Sequence, residues 1–262
     1  MYSMQDKNRN KSRKEALSLI LGIVVLWQLC AVTGIWSSYI LPSPTKVARC
    51  FVAMLKSGEL LIGVLISGRR VILGVVSAVG LTILLESLGF ASSAAQRIIR
   101  KAVRFLQNVP PLSMIPLLIL WFGIGERTKV IFITLGCFAP IMINFHKGLH
   151  GCDKDLLEVG QCYQFSNREM LRLIILPSAE HDILTGIRVG FSYAWKSVVG
   201  AEMIAATSGI GYMIRDAQFM ARTDKILVGI IVMGTIGFAV DSLLTGWISK
   251  RQHRGGDPVG WN

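Results

Sequence analysis

The sequence predicts an all-α polytopic membrane protein of about six transmembrane helices, and three observations carry that prediction. Of 262 residues, 52% are hydrophobic and only 17% charged, against about 25% charged in a soluble domain. Mean hydropathy is +0.52. From Leu17 to Trp36 no residue carries a formal charge, enough chain for the ~20 helical residues that a hydrocarbon core requires.

The elements follow in order. A basic N-terminus, 1–15, contains Lys7, Arg9, Lys11, Arg13 and Lys14 ahead of the first apolar run. That run exceeds the roughly 7–15 residues of a signal-peptide core, and no small-residue cleavage site follows it. It reads as a retained first span, 16–36. Next comes Leu41-Pro-Ser-Pro-Thr-Lys-Val47, where Pro42 and Pro44 forbid regular helix. Thr45 is the expected N-cap of a helix over Lys46–Leu55. Its Val47, Phe51, Met54 and Leu55 recur at helical spacing, as in a helix lying along an interface.

Further spans are expected at 71–91, 107–125, 130–146, 183–205 and 226–248. The second carries Glu86 near its end, the fifth Arg188, Lys196 and Glu202, and the sixth Asp241. Pro110, Pro111, Pro116 and Pro140 break or bend the third and fourth. Gly74/Ala78/Thr82 and Gly186/Gly190/Ala194 form small-x-x-x-small ladders, which let helix backbones approach closely. The membrane-spanning body thus runs over 16–250, and 251–262 is a polar tail. The five cysteines, Cys30, Cys50, Cys137, Cys152 and Cys162, show neither C-x-x-C nor zinc-type spacing.

Lys and Arg total 28 against 16 Asp and Glu, a net charge of +12. In a soluble chain this balance would suggest nucleic acid. Here it reads as orientation, because basic residues concentrate on the cytoplasmic side. With both termini inside, the N-terminus, Arg97–Arg104, the 147–182 insertion and the tail collect most of the basic residues. Lys196 is the one assigned to the bilayer itself.

The insertion 147–182 is the largest polar segment between spans. Asp155-x-x-Glu158 and Ser166-x-x-Glu169 both fit the capping-box pattern. They predict helices over Leu156–Tyr163 and Asn167–Leu176, the second ending at Pro177. Leu156, Leu157, Val159 and Phe165 are expected to face away from water, either on the protein's own membrane domain or on a cytoplasmic partner.

Other candidates carry less chemistry. His146 and His150 share a helix face at i, i+4, a spacing that can hold zinc. Gly148 and Gly151 argue against a continuous helix, and no Glu lies between the histidines, so the pair reads as structural and no metal site is assigned. There is no Walker A loop and no Ser/His/Asp arrangement, so any ATP must be bound by another subunit. Lys196 and Glu202 are ionisable at membrane depth, which points to a cavity or a fixed pair. Six residues apart, they point in different directions around the helix. Asp241 reads as a partner for local inner-face groups.

The segment Glu158-Val-Gly-Gln-Cys-Tyr-Gln-Phe-Ser-Asn-Arg-Glu-Met-Leu-Arg-Leu-Ile-Ile-Leu-Pro177 resembles the "EAA" loop of ABC importer permease subunits. Leu41-Pro-Ser-Pro44, Asn108-Val-Pro-Pro111, Leu120-Trp-Phe-Gly-Ile-Gly125, Ala201-Glu-Met203 and Gly209-Ile-Gly-Tyr212 resemble the branch importing nitrate, sulfonates and taurine. The resemblance spans roughly residues 40–250. It implies a type I importer permease fold in a bacterial inner membrane, with both termini cytoplasmic and no enzymatic activity. It also implies two ABC ATPase subunits, an extracytoplasmic binding protein, a second permease copy or homologue, and no nucleic acid. ATP and Mg would be used by the ATPase, with no cofactor on this chain. Glu158, Val159, Gly160, Gln164, Leu176 and Pro177 would form the coupling loop. Lys196 and Glu202 would lie by the pathway, and Gly209, Gly211 and Tyr212 would face the binding protein. Val159 and Gly160 stand where the family has alanines, and Gln164 where it has a glycine. An ion-coupled secondary transporter is the alternative, and a metalloenzyme built on His146/His150 a more distant one.

Overall fold

The computed structural model describes residues 18, 19, 21–33 and 37–255. The basic N-terminus, part of the expected first span and most of the C-terminal tail lie outside the described residues. The elements are α1 (Leu21–Val32), α2 (Pro44–Lys56), α3 (Glu59–Ala91), α4 (Ser93–Gln107), a 3-10 turn (Pro111–Met114) and α5 (Ile115–Phe122). They continue with α6 (Glu126–His150), α7 (Lys154–Cys162), α8 (Asn167–Glu169), a π-helical turn (Met170–Ile175), α9 (Leu176–Ala205), α10 (Ile210–Phe219) and α11 (Thr223–Gly255). Among the described residues α3, α6 and α11 are each long and apolar enough to cross a membrane.

The chain forms two compact units, Met1–Ile62 with Met213–Val232, and Gly63–Tyr212 with Met233–Asn262. In the first, Val47, Cys50 and Met54 form the buried face of α2. Its N-cap is Ser43, whose side chain accepts from the Lys46 N–H, with Pro44 in the first turn. The expected cap, Thr45, is already inside the helix, because proline's fixed φ suits the first helical position and shifts the start two residues earlier, from Lys46 to Pro44. Near the start of α11, Lys225 pairs with Glu59 at 2.9 Å and Arg222 with Asp224 at 2.8 Å.

In the second unit α6 is the central helix. Its Phe132, Ile133, Cys137, Ile141, Met142 and Phe145 are buried. The two small-residue ladders are where its neighbours close in. A Cβ on Gly74 would lie 2.5 Å from Ile133 Cγ2, and one on Gly190 would lie 2.3 Å from Ile141 Cγ1. Ala78, Thr82 and Ala194 are fully buried. On α9, Trp195 donates its indole N–H to the Met233 carbonyl at 2.9 Å.

Two sequence expectations need correction, and the break expected in 107–125 falls at the paired prolines. α4 ends at Gln107, and α4 and the Pro111–Phe122 stretch are bent by 99°. Pro110 and Pro111 lack the N–H groups a continuous helix needs, and Pro116 opens α5. Pro177 does not stop the second loop helix. The π-helical turn before it absorbs the missing hydrogen bond, and the chain continues through Pro177 into α9. Gly148 does not interrupt α6, which reaches His150 and ends at Gly151.

Candidate functional site

The buried face of α3 repeats at helical spacing: Gly63, Ser67, Arg70, Gly74, Ala78, Thr82 and Glu86. The expected span at 71–91 leaves Arg70 just outside it, and Glu202 is expected by the pathway. Because α3 begins at Glu59, Arg70 sits inside a helix and is only 2% exposed. Its Nη1 donates to Glu202 Oε1 at 2.6 Å and to the Ser208 carbonyl at 2.7 Å. Its Nε and Nη2 grip the Glu126 carboxylate at 2.8 and 2.6 Å. Nη2 also donates to Ser208 Oγ at 3.2 Å, so all five guanidinium N–H groups are used.

Glu202 has no exposed surface. It accepts from Ser67 Oγ at 2.9 Å and from the Gly211 N–H at 2.8 Å. Ser67 Oγ in turn accepts from the Ile210 N–H at 3.0 Å. The glycines at this turn are sterically required. Gly209 has φ +109°, and a Cβ there would fall 2.4 Å from the Glu202 carboxyl carbon. A Cβ on Gly211 would meet Glu202 Cβ at 2.7 Å. Lys129 completes the network, 2.6 Å from Glu126. The Gly209-Ile-Gly-Tyr212 turn is thus folded onto a buried carboxylate.

Lys196 is placed differently. It is exposed and lines a cavity of about 480 Å³ with Phe191, Ser192, Trp195, Met233, Phe238 and Asp241, among others. Its Nζ lies 5.6 Å from the Tyr193 ring centroid. Asp241 is gripped by Arg188, with Nε to Oδ1 at 2.8 Å and Nη2 to Oδ2 at 3.0 Å. Lys196 forms no ion pair among the described residues, and the structure does not bring it together with Glu202.

Of the expected 147–182 insertion, 147–150 belong to α6 and 176–182 to α9, and between them α7, α8 and the π-helical turn form a short hairpin. Asp153, rather than Asp155, caps α7, its Oδ1 accepting from the Asp155 N–H at 3.2 Å, so α7 starts at Lys154 rather than Leu156. It ends in a left-handed turn. Gln164 has φ +55°, its N–H donates to the Gln161 carbonyl, and the Phe165 N–H donates to the Gly160 carbonyl at 3.0 Å. This is the six-to-one closure that usually carries glycine at the left-handed position. Ser166 and Glu169 form the expected capping box, and those hydrogen bonds hold the Glu169 carboxyl below the usual carboxylate range.

Gly160 is buried because Ile174 and Met170 cover it, and a Cβ there would lie 2.6 Å from Ile174 Cδ1. Leu156 and Val159 do not pack on the chain. They are 48% and 51% exposed, and Tyr163 is 72% exposed. Glu158 is exposed beside them. The hairpin therefore presents an apolar face with no cover of its own.

The histidine pair gains a third member. His146 Nδ1 lies 3.0 Å from Glu86 Oε1, and His150 Nε2 lies 3.2 Å from Glu86 Oε2. Nothing local in the sequence links Glu86 to residues 60 and 64 positions away; only its place on the α3 stripe marks it.

A family model described as binding-protein-dependent transport system inner membrane component matches residues 71–254. The chain belongs to this family. The aliphatic sulfonates transport permease protein SsuC of Bacillus subtilis is 36% identical over 222 residues, covering 85% of this chain and 80% of that protein. The taurine transport system permease protein TauC of Escherichia coli is 30% identical, covering 88% and 86%. The nitrate import permease protein NrtB of Synechococcus elongatus is 27% identical, covering 71% and 68%. Among solved structures, an amino acid ABC transporter superposes with a TM-score of 0.64 over 78% of this chain and 98% of that chain, at 16% identity. The inward-facing MetNI methionine ABC transporter gives 0.55 over 73% and 97%, also at 16%. At such identity these speak to the fold. The permease is a membrane component of an ABC importer and not an enzyme, ATP hydrolysis belonging to a separate subunit. Neither a secondary transporter nor a metalloenzyme is favoured by these matches.

Proposed function

We propose that the permease forms one half of the translocation pathway of an ATP-driven importer for a small oxyanion of the sulfonate, taurine or nitrate class. The observation that carries this reading is Lys196, an ammonium without an ion-pair partner among the described residues, in a cavity walled by Phe191, Trp195, Met233 and Phe238. Arg188 neutralises the carboxylate of Asp241 in the same cavity, so the ammonium is left to attract an anion. An ionisable group at membrane depth is tolerated where it faces such a cavity. The aromatic walls suit an organic tail, and the exposure of Lys196 keeps the contact weak enough to release. Relatives named for sulfonates, taurine and nitrate share an anionic oxygen-bearing group.

In this reading two permease copies, or this chain and a homologue, enclose the path. Two ATPases grip the α7 hairpins from the cytoplasm. Leu156, Val159 and Tyr163 dock on the ATPase, and Glu158, Gly160, Gln164, Leu176 and Pro177 transmit its movement into α9 through a continuous run of helix. Both termini are cytoplasmic. The Gly209–Tyr212 turn lies at the opposite face, toward the binding protein, and Glu202 holds that turn rather than touching solute.

The test is uptake of labelled taurine, an alkanesulfonate and nitrate by the complete importer in proteoliposomes. Lys196→Gln is expected to slow uptake of the transported anion about tenfold or more, since a hydrogen bond to a charged group contributes about 1.5–3 kcal/mol. Lys196→Arg should retain most of the rate. Wild-type uptake by Lys196→Gln would overturn the reading.

A further inference from the structure

The far end of the α3 stripe holds a cluster that the transport reading does not use. Glu86 is 3% exposed, yet both of its carboxylate oxygens face imidazole nitrogens on α6. The three ligand atoms of Glu86, His146 and His150 all lie within 4.8 Å of one another. The histidines are i, i+4 on an unbroken helix end, so their rings stand one above the other, with centroids 4.3 Å apart. Both side chains are partly open, 24% and 28% exposed, which leaves a route in from one side.

We propose that Glu86, His146 and His150 bind a divalent transition-metal ion of the zinc class, cross-linking the ends of α3 and α6. Two imidazoles and one carboxylate are a ligand set that zinc favours, with a fourth position left for water. Around a tetrahedral ion with ligands at ~2.0–2.1 Å, neighbouring ligand atoms stand about 3.3–3.5 Å apart. Glu86 meets the two imidazoles through different oxygens, at 3.0 and 3.2 Å, and the ligand atoms already lie within 4.8 Å of one another, so rotation of the carboxylate and small ring shifts bring them to these separations. A metal ion takes these ligands in their deprotonated forms, two imidazole nitrogens with free lone pairs and one carboxylate.

The surroundings support ligation. Phe90 stacks on His150 with centroids 4.9 Å apart, fixing its ring plane. The Gln96 amide lies 3.1 Å from His150 Nε2, close enough to hold a metal-bound water or to swing aside. The nearby Asp153 is committed to capping α7. His150 is the last residue of α6, and α7 begins at Lys154. An ion here would stiffen the root of the coupling hairpin, giving a regulatory contact and no bond chemistry.

The experiment uses the full chain, purified in detergent and stripped with a chelator, then dialysed against limiting Zn²⁺ and, separately, Co²⁺. Wild type is expected to retain one more ion per chain than His146→Gln/His150→Gln, and its cobalt form should show a visible absorption band that the variant lacks. Independently of any variant, Zn²⁺ should slow modification of His146 and His150 by diethyl pyrocarbonate in wild type, read by peptide mass. Equal metal content in both proteins, or no protection of the two histidines, would overturn the proposal and leave the cluster a hydrogen-bonded packing contact.

Discussion

The two ends of α3 bury a charged residue on the same stripe and treat it in opposite ways. Arg70 and Glu86 are sixteen positions apart, about 24 Å along a helix. Around Arg70 the partners are the Glu126 and Glu202 carboxylates and the carbonyl and hydroxyl of Ser208, and the Gly209 turn closes over Glu202 so tightly that no side chain fits. Around Glu86 the partners are two partly open imidazoles, the side chain that most often ligates metals. One end is locked and the other is adjustable, and the adjustable end lies beside the hairpin that meets the ATPase in the proposed mechanism. A buried ion network suits a part that moves as a rigid body; an exchangeable cluster suits a part whose movement is set by a partner.

The largest effect expected from breaking this contrast is at the locked end. Arg70→Met leaves Glu202 and Glu126 without their shared cation, one of them fully buried. Loss of one partner from a buried pair costs about 3–5 kcal/mol, so the variant should fail to accumulate or should unfold well below wild type in a detergent thermal melt. Arg70→Met/Glu202→Met should recover part of that loss, which would separate the cost of an unpaired charge from the cost of lost packing. A melt unchanged in Arg70→Met would show that the network is not holding the turn.

A smaller effect is expected at the hairpin. Gln164 is held at φ +55°, a conformation that costs a non-glycine residue about 1 kcal/mol. Gln164→Gly should stabilise the hairpin by up to about that amount. ATP hydrolysis by the assembled importer should remain coupled to uptake, or become better coupled. Clear uncoupling would mean that the Gln164 side chain itself contributes to the contact with the ATPase.

How much of this was legible in the sequence depends on range. Signals carried by a few adjacent residues were readable: the Ser166/Glu169 capping box, the strained turn at Gln164, the two small-residue ladders. The ladders were readable because Gly74 and Gly190 leave room that only a neighbouring helix can fill. What failed was the start of the second span, expected at 71 when the helix begins at Glu59. Arg70 looked like a residue outside the membrane boundary because its partners, Glu126 and Glu202, lie 56 and 132 positions away. The helical spacing of Gly63, Ser67, Arg70 and Gly74 would have placed it on the packed face. Glu86 was hidden for the same reason. The prolines divide: the break at Pro110 and Pro111 was readable, whereas Pro177 is bridged by a π-helical turn that composition does not announce.

The central claim, one rigid end and one responsive end of the same helix, is tested most directly by hydrogen exchange on the assembled importer with and without bound nucleotide. Peptides covering residues 146–169 should change protection when ATP binds, while those covering 206–211 should keep theirs. Unchanged exchange at the hairpin together with altered exchange at the Gly209 turn would contradict it.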